Sequence, residues 1–441
     1  MKQLFEVSSL LQLVNLHAAI DSGLIEDAEE RILLISDNRI INEVGPSFSD
    51  SPFAAPLLDV FDRRIDLNEW LHPYHPAQWG PRDSDIPVWT RFFSRAWGVD
   101  NADLQLYVES LQAHPALALA RVFSRAEVRV HSDGLMSYGP TRNRVESRVR
   151  QRLSALYTMD LVPGLTPRLL SEYGVEATVV DRQALRDTLS VVEAQLPAEA
   201  LAEDREATVI IGQYLSDIGL FSVEEEVEIY SRLLEDAAAH SSVYFKPHPA
   251  ASASVSSILA HLAADRGIEF HLLPGDVPVE VCIARLRPAT VAGCFSTGLA
   301  TAHSLFGSRV IAAGTEHALE NFTPYENSNR IPVTICDHLF SADAQKHHRA
   351  YSLQDLVDAV SYCMRADQLP ALRETAVRFL DGLPEEDIRR YFKRRRLTKL
   401  DLPGRLPPAA RLRANPVVLA RRAARKGGRT IRELGLPVPR V

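Results

Sequence analysis

Three short stretches of this 441-residue chain carry side chains whose types and spacing could do chemistry. The first, His131-Ser132-Asp133-Gly134, follows a run rich in valine, so Asp133 would stand on a tight turn at a strand end. Gly134 lets a ligand or a second backbone approach closely. A carboxylate so placed can serve as general base if it reaches the proton it takes. The second stretch is Lys246-Pro247-His248-Pro249. Two prolines fix the backbone on either side of His248. An imidazole titrating near neutrality can give a proton to a leaving phosphate oxygen, and Lys246 can neutralise its charge. The third, Gly293-Cys294-Phe295-Ser296-Thr297-Gly298, would set two hydroxyls and free backbone N–H groups at a helix start, a geometry that favours phosphate. Each has a bland counterpart taken singly: a plain Asp-Gly turn, a structural histidine, a serine N-cap. Together they supply a base, an acid and a phosphate cradle, the parts needed for group transfer from a phosphate-linked donor. Neither GxxxxGK[ST] nor a spaced GxGxxG is present, so triphosphate and dinucleotide readings lose support. No DxD-type pair is placed for a metal ion, and no metal or other cofactor is expected.

Strand ends must position these groups. Short apolar runs at 3–7, 31–36, 104–109 and 127–130 read as strands, with a helix at 10–21 after the Ser8-Ser9 break and another opening at Pro115. Residues 42–100, rich in Pro, Trp and Phe, read as irregular, and 142–156 as a charged helix. The second half alternates more cleanly. Strands are expected at 207–212, 243–246, 269–272, 290–293, 309–313 and 331–335, with helices at 223–238, 252–264, 278–286, 297–305 and 353–364. Such alternation predicts α/β folding with doubly wound parallel sheets. The expected organisation is an N-terminal Rossmann-like domain over 1–190, a linker over 191–206 and a second such domain over 207–375. A crossing helix and basic tail follow over 376–441. Ligands in open α/β sheets sit outside the carboxyl ends of the strands, so the base would come from one half and the other two groups from the second.

Composition is that of a folded protein, 46% hydrophobic and 24% charged. Cys282, Cys294, Cys336 and Cys363 form no CxxC pair, and a reducing interior is expected. The N-terminal apolar stretch is broken by Glu6, Ser8, Ser9, Gln12 and Asn15, so no signal peptide is expected, and no apolar run reaches the length of a membrane span. The expected location is cytoplasmic, peripherally at the inner face of the plasma membrane if the tail binds there. From Arg389 onward, seventeen Lys and Arg face two acids, about +15, which leaves about −23 on the preceding residues. A split of this kind points to a tail with its own partner, either anionic lipid or an acidic glycan, or else to a solvated extension. No nucleic-acid partner is expected.

The order SDG, KPHP and then FST resembles the bacterial sialyltransferases, and SSLLQLVNLHAAI, SDGLMSYGPTRNR, IGQYLS and GCFSTGLATAHSLFG resemble the alpha-2,8-polysialyltransferase family over about residues 3–315. The resemblance implies a GT-B fold, two Rossmann-like domains facing a cleft, with the basic C-terminal extension outside it. It also implies an inverting, metal-independent transfer from a CMP-activated acidic sugar to a glycan or glycolipid acceptor in capsule or cell-surface glycan synthesis. Carried over, Asp133 deprotonates the acceptor hydroxyl and His248 assists departure of CMP. Gly134, Gln213, Lys246, Pro249, Ser296, Thr297 and Gly298 fall on the donor side. This sequence departs from the family's acidic-acidic-Gly turn in having Ser132 at the first acidic position. A CDP-alditol phosphotransferase of the teichoic-acid type, which shares the scaffold and a His-Pro motif, is the rival enzyme. A catalytically degenerate sugar-nucleotide-binding protein is the non-enzymatic one.

Overall fold

The computed structural model describes residues 1–407 apart from 39–46, 198, 239–241, 249–250 and 347–350. The chain divides into two compact units, Met1–Val357 and Asp358–Val441. The first unit holds two wholly parallel sheets. In the first sheet, β1 (Lys2–Val7), β2 (Glu30–Ile35), β3 (Arg63–Asp66), β4 (Leu104–Val108), β5 (Glu127–Ser132), β6 (Leu153–Met159) and β7 (Ala177–Val180) lie in the order β3-β2-β1-β4-β5-β6-β7. In the second, β8 (Thr208–Ile211), β9 (Val243–Lys246), β10 (Phe270–Leu272), β11 (Thr290–Gly293) and β12 (Arg309–Ala312) lie in the order β10-β9-β8-β11-β12. The strand order reverses between β1 and β4 and again between β8 and β11, which are the points where open α/β sheets bind ligands.

Parallel strands covered on both faces must be apolar nearly throughout, and Leu4, Ile32, Leu106, Val128 and Leu156 of the first sheet are buried together with Phe93 and Trp97. Ile210, Phe245 and Ala292 form a second core with Tyr230 and Leu234. Each sheet therefore has a core of its own, and each wholly buried Leu or Ile contributes about 1.5–3 kcal/mol. These are two Rossmann-like domains in the GT-B arrangement. Five helices matter for the site: α1 (Leu10–Asp21), α2 (Arg182–Glu193), α3 (Val279–Leu286), α4 (Thr297–Phe306) and α5 (Arg330–Phe340). Helix α2 packs against both α1 and α3.

Three sequence expectations need correction. Residues 142–156 form one helical turn, Ser147–Arg150, and then enter strand β6. The arginines suggested a charged helix, but residues 156–159 are all buried, as a central parallel strand demands. The region 42–100, where described, holds edge strand β3 and the helices Leu67–Leu71 and Ile86–Trp97. Strand β3 escaped notice because its sequence is RRID. As an edge strand it keeps its charges, with Arg63 bonded to Glu30 at 2.9 Å. Residues 331–335 form no strand and belong to α5. Their β-branched composition favours a strand, but Pro332 sits in the first helical turn, where its missing N–H costs nothing. Ile331, Val333, Ile335 and Cys336 are wholly buried, so tertiary packing decides. At Gly139, a side-chain Cβ would lie 2.5 Å from Ile331 Cγ1, so glycine alone lets the loop after β5 rest on α5.

In the second unit, part of the basic extension is folded. Helices Glu385–Tyr391 and Arg394–Leu400 bury Ile388, Tyr391, Phe392 and Leu397. Arg396 donates to the carbonyls of Cys363 at 2.6 Å and Met364 at 3.0 Å, capping the end of the helix Leu353–Arg365. Arg389 pairs with Glu385 one turn away. The basic run at 421–432 lies outside the described residues. Among the described residues no helix is long and apolar enough to cross a membrane.

Candidate active site

The site is assembled at the two reversal points. At the first, β1 ends at Val7 and the Ser9 side chain accepts the Gln12 N–H, capping α1. The Ser8 N–H donates to Gln12 Oε1 at 2.7 Å, and the Ser8 hydroxyl lies 2.8 Å from Glu109 Oε2. The Gln12 Nε2 amide donates to the same Glu109 oxygen. Glu109, one residue beyond β4, donates its N–H to Glu6 Oε2 at 3.2 Å. Asp133 follows directly on β5. Burial pushes its carboxyl above the ordinary range, opposed by its own backbone N–H and by the Gln12 amide, both of which favour the ionised form.

Burial likewise raises Glu109, with Asp133 adding repulsion, and raises Glu6 well above the usual carboxylate range, with Glu109 adding to it. His131 Nε2 lies 2.8 Å from the Glu6 carbonyl, and burial lowers that imidazole to about 4. Thus three carboxyls raised by burial, Glu6 in β1, Glu109 after β4 and Asp133 after β5, stand at the first reversal point. Glu6 is protonated in the folded protein across the window between its ordinary and raised pKa, where the unfolded chain is ionised. Its contribution to stability therefore grows as pH falls and is least at alkaline pH. Glu6→Gln should raise the denaturation midpoint over wild type more at pH 8 than at pH 5, measured by urea unfolding at both. Equal differences at the two pH values would show that Glu6 is ionised in the fold.

At the second reversal point, Gln213 follows β8. Its Oε1 accepts the Phe295 N–H at 2.9 Å, and its own N–H donates to the Tyr230 hydroxyl at 2.7 Å. Gln213 thus ties the end of β8 to the turn after β11. Ser296 caps α4 by accepting the Gly298 N–H at 3.2 Å. A Cβ at Gly298 would meet Ile211 Cδ1 at 2.9 Å and Val279 Cγ1 at 3.1 Å, so this glycine serves close packing of α4 on β8 and α3. Its N–H is engaged by the cap.

The two halves meet. The Leu135 N–H donates to Thr297 Oγ1 at 3.3 Å, and a Cβ on Gly134 would lie 2.9 Å from the same oxygen. The Asp133-Gly134 turn and the Ser296-Thr297 helix start, separated by more than 160 residues, therefore line one place.

His248 stands two residues beyond β9, its ring 4.3 Å from that of Tyr214. The expectation that it titrates near neutrality is not met. Burial, reinforced by the Lys246 charge, lowers it to about 4. Lys246 is buried and donates to the carbonyls of Pro274 at 2.6 Å and Gly275 at 3.0 Å, so its ammonium is largely committed and acts on the site through its field. Pro249 lies outside the described residues. Sequence reasoning missed Glu280, in the first turn of α3. Its buried carboxyl is raised by desolvation and senses the charges of both Lys246 and Asp133. It missed Glu6, Gln12 and Glu109 as well. The available signal was an acid or amide inside or just after an otherwise apolar run. Among the described residues no group of three His, Cys, Asp or Glu side chains could hold a metal ion.

A family model described as Alpha-2,8-polysialyltransferase (POLYST) matches residues 3–315. No curated protein sequence matches the chain. Similar solved structures include S. aureus MnaA with UDP, at 9% identity and TM-score 0.41, covering 77% of this chain and 87% of MnaA. A Photobacterium damselae sialyltransferase GT-B domain gives 12% identity and TM-score 0.39, over 78% of this chain and 98% of that one. E. coli heptosyltransferase WaaC with ADP gives 13% and 0.34, over 71% and 87%.

Proposed function

The chain belongs to the alpha-2,8-polysialyltransferase family, and from that membership we propose that it moves sialic acid or a related nonulosonic acid from its CMP conjugate to a glycan hydroxyl, with inversion. It is a GT-B glycosyltransferase acting on a nucleotide sugar. The observation that supports the finer reading is the contact of Gly134 and Leu135 with Thr297, which brings a carboxylate turn beside a hydroxyl-bearing helix start.

In this reading the Asp133 carboxylate takes the proton of the acceptor hydroxyl as that oxygen attacks the anomeric carbon. The bond from the anomeric carbon to the CMP phosphate oxygen breaks, and the electron pair leaves with CMP. The Ser296 and Thr297 hydroxyls and the N-terminal end of α4 carry the phosphate charge. The His248 imidazole, neutral at pH 7 in the free protein, donates its N–H to the departing oxygen.

The test is a donor screen reading released nucleotide, with CMP-N-acetylneuraminic acid, CMP-Kdo and CDP-glycerol offered alongside an α2,8-linked oligosialic acid. Turnover with a CMP-linked nonulosonic acid is expected. Turnover with CDP-glycerol and with neither CMP-sugar would overturn the reading in favour of phosphoalditol transfer.

A further inference from the structure

Resting on the reading of His248 as the group that assists departure of CMP, we propose that Tyr214 is a positioning residue, an aromatic shelf that fixes the tilt of the His248 imidazole. Proline on either side restrains the main chain at His248 but leaves its ring free to turn about χ1 and χ2. A neighbouring side chain must supply the remaining restraint. The Tyr214 ring lies against the imidazole, with centroids 4.3 Å apart and planes inclined by 39°. That separation is contact distance for an offset pair of rings.

The register of the second sheet brings the two together. Ile211, the last residue of β8, pairs with Lys246, the last of β9, so the segments that follow leave the sheet side by side. The Gly212 N–H donates to the Lys246 carbonyl at 2.9 Å. A Cβ at Gly212 would lie 2.7 Å from Phe245 Cζ and 3.2 Å from that carbonyl, so glycine is what lets the chain leave β8 this close to the His248 loop.

The shelf is held on both flanks. The Gln213 N–H donates to the Tyr230 hydroxyl at 2.7 Å, and the Leu215 and Ser216 N–H groups donate to Glu226 at 3.3 Å and 2.7 Å. Glu226 and Tyr230 are wholly buried on the helix Val223–Ala238. Asp217 Oδ2 accepts the Ser252 N–H at 3.2 Å, a second tie between the same two loops. The Tyr214 hydroxyl bonds to no described residue, so the position calls for the ring rather than the hydroxyl. The IGQYLS stretch is thereby accounted for. Gly212 permits the approach, Gln213 holds the turn after β11, Tyr214 carries the ring, and Leu215 and Ser216 anchor it.

The experiment compares wild type, Tyr214→Leu, Tyr214→Phe, His248→Ala and the double variant Tyr214→Leu/His248→Ala. Rates are read with CMP-N-acetylneuraminic acid and an α2,8-linked oligosialic acid, and CMP affinity by calorimetry. Tyr214→Leu should lower kcat about tenfold, the order expected when a reacting group loses its alignment, with donor KM and CMP affinity unchanged. Tyr214→Phe should restore the wild-type kcat. In the His248→Ala background Tyr214→Leu should cost nothing more, because the shelf has no imidazole left to hold. Proton NMR of protein labelled at histidine Cε1 reads the contact without turnover, the His248 signal being the one lost in His248→Ala. Ring current from Tyr214 should hold that signal upfield of free histidine, and Tyr214→Leu should move it downfield. Should Tyr214→Leu fail to fold, the wild-type signal decides: upfield supports the shelf, and the free-histidine position overturns it. An unchanged kcat in folded Tyr214→Leu, a loss that adds fully to that of His248→Ala, or a His248 signal that does not move would each overturn the shelf. A His248→Ala enzyme as fast as wild type would instead overturn the underlying reading of His248, a separate result that leaves the NMR shift in place.

Discussion

Asp133→Asn should lower kcat/KM with a CMP-linked nonulosonic acid by about 10²- to 10⁴-fold, the range for losing a positioned general base, while CMP still binds. The substitution keeps shape and changes only the capacity to take a proton. Because burial holds the Asp133 carboxyl above the usual range, wild-type activity should climb with pH through that raised value and level off above it. The asparagine variant should lack this limb. Initial rates of CMP release across pH 5–9, with CMP affinity from calorimetry, check both parts. An asparagine enzyme as fast as wild type would move the role to another carboxyl of the cluster, with Glu109 and Glu280 the nearest by charge.

His248→Ala should cost about 10²- to 10³-fold in kcat, comparable to losing one donor aimed at developing negative charge. His248→Gln should recover much of that and stand within about tenfold of wild type at pH 7. The difference follows from the imidazole being lowered to about 4 by burial and by Lys246, so that at neutral pH it offers an N–H rather than a spare proton. A histidine that had to enter protonated would give activity rising steadily as pH falls toward 4. Equal losses in the alanine and glutamine variants, or such an acid-rising profile, would rule out the neutral donor.

The second sheet was legible almost throughout because its strands are short, apolar and separated by amphipathic helices of ordinary length. The helix Val223–Ala238 and the strands Val243–Lys246 and Thr290–Gly293 have the expected bounds. Failures came where two levels of structure disagree. RRID is a poor strand by composition and a good one at an edge, while RIPVTIC is a good strand by composition that packing turns into a helix. The site divides in the same way. Asp133, Gly134, Ser296 and Thr297 were visible because turn and cap chemistry is local, and the fold brings them together. Glu6, Gln12, Glu109 and Glu280 come from four elements, and each is unremarked alone. What gives them meaning is mutual closeness and burial, neither of which is written locally.

One packing feature carries a mechanical consequence. Helix α2, in which Leu185, Thr188, Leu189 and Val192 are buried, packs against both α1, which bears Gln12, and α3, which bears Glu280. Both half-sites thus rest on one helix. Any change in the spacing of the two sheets must therefore be taken up as shear at this helix, and side-chain volume on its buried face sets how far they travel.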